Sequence, residues 1–190
     1  MKKLIILIII CAGIQQGLSQ SPVYPWNTEW DAVEDNAYIK DTQNQLLPYT
    51  GTWVYTNGNK KVTIKLQRIM YYYTSGKKHF MDKIAGRYKV ENGSTVVFSD
   101  WDLNFASANL SGVRIYENKL YGSYFDAGNC RILSDVKIWL DPNNPNKMYM
   151  ESELQGKMPF VQDEDECPQW RNPGFGENPT IPRSIVLYKQ

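Results

Sequence analysis

One histidine, His79, stands among Lys77, Lys78 and Phe80 with no motif around it. A nucleophilic triad would rest on that single imidazole, and no Gly-x-Ser-x-Gly elbow offers it a serine to activate. His79 therefore reads as a half-exposed strand residue. No cluster of cysteine and histidine has the spacing of zinc ligands. Asp102 with Glu151 or Glu153 could act as the paired carboxylates of a glycosidase, but such a pair is defined by separation in space, not by spacing in the chain. The acidic run from Asp163 to Glu166 offers oxygens to calcium. Consecutive side chains diverge, however, and the run lacks the alternating ligand positions of a calcium loop, so it reads as a solvated loop. The residue types name no catalytic group, no metal site and no cofactor, and the chain is expected not to be an enzyme.

Aromatic side chains with polar tips are abundant instead. Tyr55, Tyr71, Tyr73, Tyr88, Tyr124 and Trp139 fall on segments of strand character, where alternate residues face opposite sides. A ring that packs while its hydroxyl or N–H finds a partner suits contact with a small apolar or amphiphilic ligand inside a barrel. It suits equally a solid core, and an eight-strand barrel admits both.

The elements that must position these residues are short strands. Gly51 and Trp53 open the first. Val62, Ile64 and Leu66 then alternate with polar neighbours, the pattern of a strand dry on one face, and Asn57-Gly58-Asn59 turns the chain between the two. After Arg68 the apolar parity slips to Ile69, Tyr71 and Tyr73, which predicts a bulge. Further strands are expected over about 78–91, 94–99, 112–117, 119–125, 132–141, 147–156 and 184–189. Their short turns place sequence neighbours side by side. Gly51, Gly86, Gly122 and Gly156 recur about every 35 residues, the spacing at which a closing sheet would turn its corners, although Gly112 breaks that rhythm. The expected fold is all-β, an antiparallel up-and-down barrel of eight to ten strands over residues 49–190. Residues 20–48 form an irregular arm with a short helical turn near Gln43 to Leu47. The proline-rich stretch from Pro159 to Pro182 reads as a lid-like loop before the last strand.

The first 19 residues carry Lys2 and Lys3, an apolar run from Leu4 to Ala12 and small residues before Gln20, the layout of a secretory signal peptide. The apolar run is too short to span a membrane, and bulky Ile10 argues against a lipid anchor on Cys11. Export by the Sec route to the periplasm or the outside is expected. Cleavage after Ser19 removes two lysines and takes the net charge from +1 to −1, which gives no basic face for nucleic acid. It also leaves Cys130 and Cys167 as a natural disulfide in an oxidising compartment. The loop so closed, about 37 residues, would be stabilised by roughly 3 to 4 kcal/mol in the chain-entropy account.

A glycine and a tryptophan at the head of the first strand, matched by Arg183 just before the last, resemble the calycin superfamily of lipocalin-like barrels. That resemblance implies that Trp53 plugs one end and that Arg183 lies across its ring, a cation–π contact. The string Asn36-Ala37-Tyr38-Ile39-Lys40-Asp41-Thr42 with Leu46, Tyr49, Gly51 and Trp53, and the ending Ile181 to Lys189, are similar to a family of small secreted bacterial proteins of unknown function. It implies export and a barrel, and it brings no activity. Two functions are open at this point. The leading one is a non-catalytic monomeric barrel holding a small apolar or amphiphilic ligand. The other is a barrel with a packed interior that binds a protein through the 159–182 loop, with Trp170 and Phe175 as anchors.

Overall fold

The computed structural model describes residues 21–74, 76, 78–127, 132–159 and 179–190. Eight strands close a ring: β3 (Gly51–Asn57), β4 (Lys60–Thr74), β5 (His79–Asn92), β7 (Leu110–Tyr116), β8 (Lys119–Asp126), β9 (Ile132–Asp141), β10 (Asn144–Pro159) and β11 (Ser184–Lys189). Every contact round the ring is antiparallel, and closure comes where Tyr188 and Lys189 pair with Val54 and Trp53. Three short strands lie off the ring: β1 (Val23–Pro25), β2 (Tyr38–Lys40) and β6 (Thr95–Ser99). Among the described residues no helix is long and apolar enough to cross a membrane.

The pattern read from the sequence explains the ring. Val62, Ile64 and Leu66 point inward and are almost wholly buried, as a strand with one dry face requires. The strand β5 is the hub. One edge pairs with β4 along nearly its whole length, while the other serves β2 at Phe80 and Met81, β7 at Ile84 to Gly86 and β6 from Lys89 to Asn92. The arm is more ordered than its composition predicts. It supplies β1 and β2, which pair in parallel, and a 3₁₀ turn at Leu47–Tyr49, slightly later than the helical turn expected. Asp82 ties it down, accepting from the Tyr38 hydroxyl at 2.6 Å and the Asp41 amide at 3.0 Å, while its carbonyl takes the Trp26 indole N–H at 2.7 Å. The arm's cover also explains His79. Expected to be half-exposed, it is fully buried, because Asn36 and Ala37 bond to the backbone on either side of it.

The glycines work differently from the even rhythm of corners. Gly112, which breaks that rhythm, is the direct partner of Gly122 across β7 and β8. A Cβ on Gly122 would fall 1.7 Å from the Ser111 carbonyl oxygen, so two backbones meet where no side chain fits.

The interior is a filled core. Trp53, Ile64, Ile84, Tyr88, Leu110, Leu120, Tyr124, Met148 and Leu187 are each 0% exposed. Side chains lining a chamber would offer surface to water, and these offer none. Such close packing is normal for protein interiors, and it takes up the space an eight-strand barrel could leave for a guest.

Candidate functional site

The structure divides the six aromatics singled out from the sequence into four settings. Tyr88 and Tyr124 lie inside, with ring centroids 5.4 Å apart at 70° and hydroxyls 3.4 Å apart. Burial raises the pKa of both phenols, so both stay neutral at any physiological pH. Tyr55 packs half-buried against the core. Trp139 faces outward and stacks on Tyr149 at 5.3 Å, with the Lys119 ammonium 4.8 Å over its ring. Tyr71 and Tyr73 are about half exposed on the outside.

The last pair belongs to a surface cluster. Tyr71 stacks on Phe80 with centroids 4.0 Å apart and meets Tyr38 edge-on at 4.9 Å, and Tyr73 leans on Phe80 at 5.2 Å. Two features of the backbone present it. The pairing of β3 with β4 stops at Gly51 and Leu66, whereas β4 and β5 continue together to Thr74 and His79. The hairpin therefore projects past the ring as a ribbon, and among the described residues no strand pairs with the outer edge of β4 beyond Leu66. The expected bulge lies between Ile69 and Tyr72, and it holds Tyr71 at φ +54°. A bulky side chain in the left-handed region is strained by about 1–3 kcal/mol. The Tyr71 amide donates to Asp82 at 3.2 Å, which helps to hold it there. The ring of Tyr72 carries the Lys83 ammonium 3.4 Å from its centroid, and burial lowers the Lys83 pKa to about 8.

Trp53 is buried at one end of the barrel, its indole N–H donating to the Tyr49 carbonyl at 2.8 Å. Burial pushes the Tyr49 phenol up to about 12. The cation over the Trp53 ring is Lys189, at 5.1 Å, and not Arg183. Register gives the reason. Lys189 is the Cα partner of Trp53, and Arg183 stands six residues earlier, about 20 Å away at strand spacing. Gly51 makes the contact possible, since a Cβ there would sit 2.8 Å from Lys189 Cε. Arg183 is exposed and lines a shallow cleft of about 280 Å³ with Asp135, Lys137, Glu151 and Glu153. No sequence signal distinguishes Lys189 from Arg183 before the register is known.

A larger cleft, about 540 Å³, lies on the outer face of β3 to β6 and is lined by Thr63, Lys61, Lys89, Ser99, Trp101 and Asp102 among others. Asp102 and the Glu151 and Glu153 carboxylates thus line different clefts, so the glycosidase pair does not assemble around either one. Among the described residues no three metal-binding side chains gather closely enough to hold an ion. Cys11, Cys130, Cys167, Trp170 and Phe175 lie outside the described residues, as do the signal peptide and most of the lid-like loop. The described end of that loop packs against the barrel: Ile181 is fully buried, and the Thr180 amide donates to Asp126 at 2.7 Å.

The chain belongs to a family of unknown function, DUF6705, whose model matches residues 1–190. No curated protein and no solved structure matches it significantly.

Proposed function

We propose that this DUF6705 member is a non-catalytic exported barrel that recognises a protein on its outside, with the β4–β5 ribbon as its contact surface. The filled interior carries the reading. Trp53, Tyr88 and Tyr124 at 0% exposure support a reading in which the core is packed and the binding groups face out. The ribbon supplies them. Met70, Tyr71 and Tyr73 are 63%, 49% and 47% exposed, a concentration of large side chains that a protein surface seldom leaves to water. Tyrosines of this kind dominate the energetics of interfaces. Beside them runs a strand edge that no other described strand pairs with, to which an extended segment of a partner can add by main-chain hydrogen bonds. The bulge that strains Tyr71 turns its ring to the outside, as bulges near binding sites do.

Titrating fatty acids, retinoids and haem into the purified protein is expected to leave its tryptophan emission unchanged. Capture from an envelope extract is expected to retain a partner that the Tyr71→Ser, Tyr73→Ser protein loses. A saturable emission change with an apolar ligand would restore an internal site. Equal capture by both proteins would remove the ribbon's role.

A further inference from the structure

We infer that Lys83 is a covalent site, its amine taking a small uncharged aldehyde as a reversible imine. The site goes beyond recognition by the tyrosine ribbon and does not depend on it. Lys83 is only 8% exposed, and a lysine is almost never buried unless it is paired. Lys61, Lys78, Lys89 and Lys147 each stand within 4.0 Å of a carboxylate, yet no carboxylate among the described residues forms an ion pair with Lys83. Asp82, next to it, faces the other side of β5, and its side-chain oxygens are taken by the Tyr38 hydroxyl and the Tyr71 and Asp41 amides. The Lys83 nitrogen lies instead over the Tyr72 ring, 3.4 Å from its centroid. Its neighbours on that face are Ile69, directly opposite on β4, and Ala85, two positions along β5. Burial without an anion disfavours the ammonium form, which is why the pKa falls to about 8. At neutral pH the free amine is then roughly two orders of magnitude more populated than in a solvated lysine.

A neutral amine is a nucleophile, and the Tyr72 ring decides which adduct suits the site. An acyl donor would leave a neutral amide and carbon dioxide an anionic carbamate, and both forfeit the attraction between a cation and the ring. The carbamate would in addition be a buried charge without a partner. An aldehyde avoids both losses. The Nζ lone pair bonds to the carbonyl carbon, the two amine protons leave with the carbonyl oxygen as water, and the imine nitrogen takes up a proton from solvent. The product is an iminium, a cation still held over the ring. Ile69 and Ala85 favour an uncharged hydrocarbon chain on that aldehyde, and the slight exposure of Lys83 favours a short one.

The test treats the purified, folded protein with propanal at neutral pH, traps imines with cyanoborohydride and reads propylated lysines by peptide mass spectrometry. Lys83 is expected to label about tenfold or more faster than Lys61, Lys89 and Lys147, and to lose that lead in urea, where all four amines are solvated. Lys83→Met is expected to remove the fast label and leave the slow ones unchanged. Should that variant not fold, the comparison of folded with unfolded wild type still decides. The inference is overturned if Lys83 labels no faster than the carboxylate-paired lysines, or if its lead persists in urea. A carbamate formed at Lys83 from isotope-labelled bicarbonate, in place of the propyl adduct, would overturn the choice of an aldehyde.

Discussion

Trp53 shows how a single side chain can be placed from sequence while its neighbour cannot. A glycine, a spacer and a tryptophan at a strand start signal a buried indole, and Trp53 is fully buried. Trp53→Ala is expected to lower the unfolding free energy by about 3 to 5 kcal/mol in urea titration, and an unchanged midpoint would mean the end is not plugged by this ring. Which cation covers it depends on register, and register depends on every turn between β3 and β11, so Lys189 was not legible. Lys83 offers a test by pH. Burial depresses its pKa to about 8 from 10.5, so between those values the unfolded chain binds the proton that the folded chain has lost. The site's contribution to stability therefore rises with pH across about 8 to 10.5 and is at its low plateau below 8. Comparing wild type with Lys83→Met should show the difference moving in favour of wild type over that window. Tyr38, Tyr88 and Tyr124 have raised pKa values and act in the opposite sense above 10, but both proteins share them, so they cancel. A difference that stays flat with pH would mean that Lys83 is solvated.

At the scale of elements, the strands were largely legible because a period of two with one dry face is a local property. The predicted bulge after Arg68 is real for the same reason: a parity slip inside one strand would turn every later side chain over unless an extra residue absorbed it. The arm was not legible. Its strands form because Asp82, Phe80 and Met81 of β5 receive them, and those partners stand some forty residues away in the chain. The glycines were legible as close approaches but not as partners of one another. Their substitution should rank them by what a Cβ meets. Gly122→Ala is expected to prevent folding, since it strikes the Ser111 backbone at 1.7 Å. Gly86→Ala should be milder, because it meets side-chain atoms of Leu66 and Leu110, the nearest 2.7 Å away, and no backbone. Gly58→Ala meets nothing within 4 Å but sits at φ +56°, and should cost about 1 kcal/mol through strain alone. Urea midpoints check the order, and a folded Gly122→Ala protein of near-normal stability would contradict the pairing of β7 with β8.

For the whole molecule, an aromatic-rich barrel allowed two opposite interiors, and composition could not choose between them. The choice lay in whether Tyr88 and Tyr124 face a chamber or each other, and they face each other. The outward site proposed at the Tyr71 ribbon depends on that filled centre. A crystal pressurised with xenon tests it most directly, because xenon enters apolar cavities that water leaves dry. The expected map shows β11 lying against β3 and no xenon among Trp53, Ile64, Tyr88, Tyr124, Met148 and Leu187, whereas an ordered xenon atom within that set would reveal a chamber and return the search for a ligand to the inside.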